Sequence, residues 1–231
     1  MVHYNNQILA SLSKPQLARV APHLKPVRFA LGKPLNDPVD TYAYFLEQGI
    51  ASVVVHQSNG ATVGVGVVGC DGIVGLPILF GAARAPVNIT IQIAGEGFRL
   101  PAPSLVAEFD RSAQFRRRLL NYVHAYVVQI SQTAACNRLH TIEERLARWL
   151  LACRDRMSID RLELTHEFMA DMLGSPRTTV TLAVGSLEKA GLIKRSRGAV
   201  TILDRNALEA AACECYRVVH DEYARFGFFH I

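Results

Sequence analysis

The spacing of apolar residues changes character along the chain, and each change predicts an element type. Residues 5–22 place Leu9, Leu12, Leu17 and Val20 at helical intervals interrupted by Pro15 and Pro22, which predicts one or two short helices. Between residue 26 and about residue 100 the apolar positions fall into short runs at 27–31, 42–46, 50–56, 61–68, 73–76 and 87–94. These runs are β-branched or alternate with period two, and glycine and turn residues divide them, so each predicts a strand. Ser58-Asn59-Gly60 predicts a hairpin turn, since Asn and Gly both accept positive φ. Strands at such regular intervals predict a β-barrel or β-roll. Residues 103–136 then become helical and long. Leu119, Val123, Tyr126, Ile130 and Thr133 recur at alternating spacings of four and three, which is a heptad seam suited to pairing two helices along their length. Leu120, Val127 and Ala134 form a second stripe, expected to lie on the β domain.

The pattern breaks at 137–140, the expected domain boundary. Thr141-Ile142-Glu143-Glu144 is a capping box opening a helix to about Arg156, with Leu146, Trp149 and Leu150 on its inner face. The stretch LTHEFMADMLGSPRTTVTLAVGSLEKAGLIK, residues 164–194, organises the C-terminal part of the chain. Thr165 is expected to cap a first helix with an apolar face of Phe168, Met169, Met172 and Leu173. Gly174 ends it, because glycine tolerates the left-handed conformation of the turn. Ser175 is expected to cap a second helix, with Pro176 at its first position. Val180, Ala183, Val184 and Leu187 form the buried face of that helix, while Arg177, Thr178, Thr181 and Leu182 point outward. Residues 192–203 predict a β-hairpin turning at Gly198 and carrying Lys194, Arg195 and Arg197. Two helices about a glycine turn, then a basic hairpin, make a winged helix-turn-helix. In that motif the second helix enters the DNA major groove and the basic wing meets phosphate. Asp204 is expected to cap one last helix holding Leu208, Ala212, Tyr216 and Val219, and the aromatic tail from Phe226 is expected to dock on a domain surface.

The 231-residue length allows one or two domains, and half the residues are hydrophobic, which excludes a disordered chain. A net charge of +5 suits a polyanionic partner, although residues 137–231 hold 14 basic and 13 acidic residues. Placement of the cations on the second helix and the wing therefore matters more than their sum. No apolar run reaches membrane-spanning length, and the N-terminus lacks a basic-then-apolar leader, so a cytoplasmic location is expected. Cys70, Cys136, Cys153, Cys213 and Cys215 are expected to be reduced thiols. Cys213, Cys215 and His220 do not have a common zinc spacing, and packing is the expected role of these cysteines; no metal site is predicted. Arg116, Arg117 and Arg118 are expected on a solvated helix face. There is no nucleophile–base motif, and Gly64-Val65-Gly66 lies inside a strand pattern rather than opening a helix, so an enzyme is not predicted.

The order β-roll, long helix, winged helix resembles the Crp/Fnr family of bacterial transcription regulators. The most specific stretches are GIASVVVHQSNGATVGVGVVGCDGIVGLPILFG and LTHEFMADMLGSPRTTVTLAVGSLEKAGLIKRSRGAVTILD, with ACNRLHTIEERLARWLL between them. The resemblance implies an α+β fold: a cyclic-nucleotide-binding-like β-roll over 1–102, a long dimerisation helix over 103–137 and a winged-helix DNA-binding domain over 138–231. It implies a homodimer on a near-palindromic operator, and RNA polymerase as a partner if the protein activates. Arg177 matches the family's guanine-reading arginine. Thr178 replaces a carboxylate, and Leu182 replaces a second arginine, so the operator is expected to differ from the best-known consensus. Ser175, Thr178, Thr179 and Thr181, with Lys194, Arg195 and Arg197, complete the expected DNA contacts, and Leu119, Val123, Tyr126, Ile130 and Thr133 the expected dimer interface. In the nucleotide cassette, Leu76 stands where a ribose-binding Glu belongs, Ala85 replaces Ser, and Pro86 removes a backbone donor. Arg84 alone remains as an effector-binding candidate, so tight cyclic AMP binding is not expected. No cofactor is predicted. The alternative is a response to an unidentified small ligand, to a haem-bound gas through His56, Cys70 or His124, or to thiol redox chemistry at Cys153.

Overall fold

The structure, a computed structural model, describes residues 3–35, 41–58, 60–82 and 87–229. Arg84, Ala85, Pro86 and the Asn59 turn position lie outside the described residues. Two short helices, α1 (Gln7–Ala10) and α2 (Lys14–Val20), lead into six strands: β1 (Lys25–Phe29), β2 (Tyr42–Leu46), β3 (Ile50–His56), β4 (Thr62–Val68), β5 (Asn88–Ile93) and β6 (Gly95–Pro101). They form two antiparallel sheets of order β1-β6-β2 and β4-β3-β5, as expected of a roll. Phe29, Leu46, Val53, Val74 and Ile91 pack between them.

Two strand expectations need correction. Residues 73–76 do not form a strand. Val74 makes one bridge to Tyr44, and Gly75, at φ 108°, turns the chain into a 3₁₀ turn over Leu76–Phe80. Conversely, the sequence pattern hides β6, the central strand of its sheet. Gly95 and Gly97 interrupt its alternation because neighbouring backbone leaves no room: a Cβ at Gly97 would collide with the Phe45 carbonyl oxygen.

The expected long helix is two. α3 (Ala102–Arg111) ends at Ser112, whose side chain caps α4 (Ala113–Leu139) by accepting from the Phe115 N–H. α4 runs along the open edge of β4. Gln129 accepts from the Val67 N–H at 3.1 Å and donates to the Val67 carbonyl at 3.2 Å, satisfying an edge strand's free backbone groups. Glycines let the helix approach, since a Cβ at Gly66 would stand 3.0 Å from the Tyr126 hydroxyl.

The expected seam of α4 turns partly into the chain's own core, and the second stripe turns outward. Leu119 is fully buried and Thr133 buried, both against the chain's own residues, so neither can meet a partner. Val123, Tyr126 and Ile130 are half-buried, Tyr126 packing against both roll clusters. Leu120, Val127 and Ala134 are exposed. The inward face also carries Phe115, Tyr122, Ala125 and Gln129, and the heptad reading missed it because its register lies one position from the outward stripe.

The C-terminal part comprises α5 (Ile142–Met157), β7 (Arg161–Leu162), α6 (His166–Leu173), α7 (Arg177–Lys189), β8 (Ile193–Ser196), β9 (Ala199–Ile202), α8 (Arg205–Ala211) and α9 (Cys215–Arg225). The expected last helix therefore breaks at 212–214. The two parts share one core, in which Ile50, Val54, Val67 and Ile93 of the sheet meet Trp149, Leu150, Met169, Met172 and Leu173. Arg156 on α5 pairs with Asp71 of the roll at 3.0 Å. α9 lies on α4, with His124 2.8 Å from Glu222, and the described tail docks as expected, Phe226, Phe228 and Phe229 joining the cluster around Tyr122 and Tyr223. Arg118 is not on a solvated face. Its guanidinium stacks on Phe228 at 3.8 Å and donates to the carbonyls of Phe226, Gly227 and Gln7.

Candidate nucleic-acid interface

α6 and α7 are positioned by local chemistry. The Thr165 side chain accepts from the Phe168 N–H at 3.2 Å and so opens α6. Gly174, at φ 55°, closes it in the left-handed conformation. The entry to α7 differs from expectation. Pro176 is itself the N-cap, and the Ser175 hydroxyl donates back to the Leu173 carbonyl at 3.2 Å instead of capping α7. Val180, Ala183, Val184 and Leu187 bury α7 against α5 and α6. That face fixes the rotation of the helix, so Arg177, Thr178 and Leu182 stand in solvent while Thr179 is half-buried. Leu182 is 74% exposed, an unusual state for a leucine on a helix otherwise packed on its apolar side.

The wing is a three-stranded sheet of order β7-β9-β8; β7 escapes the sequence pattern because it is two residues long. Gly198, at φ 73°, makes the β8–β9 turn. Lys194, Arg195 and Arg197 are all exposed. They are not equivalent. Arg195 Nε lies 2.7 Å from a carboxylate oxygen of Glu188 on α7, and the Arg195 N–H donates to the other at 3.0 Å. Among the described residues neither Lys194 nor Arg197 forms an ion pair, and the same holds for Arg177.

Thr181 differs from expectation as well. Its hydroxyl donates to the Arg177 carbonyl at 2.9 Å and lies 3.1 Å from His166 Nδ1. It is thus engaged within the domain and ties α7 to the start of α6. His166, which sequence reasoning missed, sits between the helix and the wing. Burial holds its pKa below the usual imidazole range, and Arg195 and Arg177 add to the shift.

The other sensor candidates scatter. His56 is exposed and bonded to Thr62 at 2.8 Å. His124 faces Glu222, and the Cys70 thiol donates to the Arg156 carbonyl at 3.1 Å. Cys153 is fully buried beside Gln92, and burial pushes its thiol up to about 12. A redox-responsive thiol needs an accessible thiolate, so Cys153 does not fit that role. Leu76 packs against the apolar cluster around Ile73 and Ile78, with no polar group to offer a ribose.

Comparison with known proteins agrees with this geometry. Residues 144–211 match the family model for the Crp-like helix-turn-helix domain. The transcriptional regulator SdrP of Thermus thermophilus is 25% identical over 175 residues, covering 74% of this chain and 83% of SdrP. Among solved structures, FixK2 of Bradyrhizobium japonicum superposes with a TM-score of 0.71 at 16% identity, covering 82% of this chain and 98% of FixK2. A CRP-family transcriptional regulator of Thermus thermophilus gives 0.66 at 22% identity, covering 80% of this chain and 96% of that one. The order of roll, long helix and winged helix is shared with these regulators. Residues 144–211 thus form a Crp-like helix-turn-helix domain, and the chain as a whole shares the fold of Crp/Fnr regulators. Among the described residues no helix is long and apolar enough to cross a membrane.

Proposed function

We propose that the protein acts in the cytoplasm as a homodimer that reads a near-palindromic operator, with α7 of each subunit in successive major grooves about 34 Å apart. The observation that carries this reading is the outward row Arg177, Thr178 and Leu182 beside the unpaired wing cations Lys194 and Arg197. Arg177 donates two hydrogen bonds to the O6 and N7 of one guanine. The Thr178 methyl and the Leu182 side chain present apolar surface, which suits thymine methyl groups. Lys194 and Arg197 meet phosphates, as does Ser175 or Thr179 more locally. The exposed stripe Leu120, Val127 and Ala134 of α4, with the flanks of Val123 and Ile130, supplies the dimer contact. Leu76 offers the ribose no partner, so DNA binding does not follow cyclic AMP in the usual family manner. RNA polymerase is a partner where the bound dimer activates.

Selection of binding sites from random duplexes, then fluorescence anisotropy at several salt concentrations, tests the reading. The expected result is a symmetric site and a steep negative slope of log affinity against log salt. Binding without sequence selection, or without salt dependence, overturns it.

A further inference from the structure

Three of the five cysteines, distant in sequence, meet one histidine where α4 joins the C-terminal domain. Cys136 lies in the last turns of α4, and His140 immediately follows that helix. Cys213 lies in the break between α8 and α9, and Cys215 begins α9. The ligand atoms of these four residues all lie within 4.8 Å of one another. Cys136 Sγ is 3.4 Å from Cys213 Sγ, and Cys215 Sγ is 3.7 Å from His140 Nδ1. All three thiols are buried. The break that interrupts the expected last helix is what lets Cys213 and Cys215 face the same point. His220, weighed beside these cysteines in the sequence, is not among the four.

We propose that Cys136, His140, Cys213 and Cys215 form a tetrahedral site for one zinc-class divalent ion. Three considerations support it. Four ligands at zinc–sulfur distances of about 2.3 Å stand about 3.8 Å apart on a tetrahedron, close to the spacings seen here. The set is closed, with four protein ligands and soft sulfur donors, which is the form of a structural zinc centre. The histidine is also backed: His140 Nε2 lies 3.2 Å from a Glu214 carboxylate oxygen, which fixes Nδ1 as the ligating nitrogen. The charge balances as well. On binding, three thiols release their protons to solvent, leaving a net charge of −1 on the ion and its ligands. Arg145 and Arg148 are buried nearby, and among the described residues neither pairs with a carboxylate. An ion here fastens the end of α4 to the α8–α9 junction, at the joint that sets the winged helix against the long helix.

The test needs no DNA, so it stands or falls separately from the operator reading. Full-length untagged protein is purified under a strong thiol reductant and its metal content measured. One zinc per chain, released stoichiometrically by a mercurial thiol reagent, is the expected result. Replacement by cobalt should give the visible ligand-field bands of tetrahedral thiolate coordination. Cys213→Ser and Cys136→Ser should lose these bands, and their circular dichroism reports whether they fold. Glu214→Gln changes no ligand and should weaken zinc affinity by about 10- to 100-fold at unchanged stoichiometry. Reduced, folded wild-type protein that takes up neither zinc nor cobalt overturns the site.

Discussion

Arg156 and Asp71 form an ion pair at 3.0 Å with almost no solvent access to either side chain, and the pair joins α5 of the winged-helix domain to the loop after β4. Tyr223 and Phe229 both lie 5.1 Å from the same guanidinium. Gly69 leaves space for it, because a Cβ there would stand 2.7 Å from the Arg156 Cβ. A buried pair of this kind adds little against an apolar replacement, but removing one partner strands a charge at a cost of about 3–5 kcal/mol. Asp71→Asn should therefore destabilise the protein by about that amount in chemical denaturation, and Asp71→Leu with Arg156→Met should recover much of it. An Asp71→Asn protein as stable as wild type would show that the pair does not hold the two parts together.

Arg177→Ala should weaken binding to the selected operator by about 5- to 150-fold, equivalent to about 1–3 kcal/mol, and relax preference at one base pair of each half-site. Its fold and subunit mass should not change, because the side chain is exposed. Unaltered affinity and preference would remove α7 from the role of reading helix.

Glu188 holds Arg195 by two contacts and offsets its charge. Glu188→Gln should release one wing cation for phosphate. Affinity should then rise at low salt, and the salt slope should steepen by roughly one phosphate contact. A parallel slope would mean that Arg195 does not reach the duplex.

The faces of α4 separate two outcomes. Leu120→Glu with Val127→Glu changes exposed residues and should yield a folded monomer by light scattering. Leu119→Glu buries a charge in the chain's own core and should lower the unfolding temperature instead. A dimer unaffected by the first pair would move the interface to another surface.

The winged helix was legible because its signals are local: Thr165, Gly174, Gly198 and the apolar spacing of α7 each act within a few residues. Three features were not legible, since each depends on residues far apart in sequence. β6 reads as irregular because its glycines answer to the backbone around Phe45 and Gln48. The facing of the α4 stripes was hidden because both have heptad-compatible spacing, and only the packing of Tyr122, Gln129 and Tyr223 decides which turns inward. The Cys136, His140, Cys213 and Cys215 cluster spans four positions whose spacing carries no motif, and the helix break that completes it has no proline or glycine to announce it.

Gly64 bears on the spacing of the two halves in the proposed dimer. A Cβ there would stand 2.9 Å from the Met172 carbonyl oxygen, so α6 rests on β4 at a distance only glycine permits. Around a two-fold axis, any displacement of that helix is doubled in the gap between the two reading heads. In the proposed dimer, one absent methyl group would thus set the gauge of the pair against the pitch of the double helix. Widening it with alanine would leave each half able to read its bases while putting the two out of step along the track.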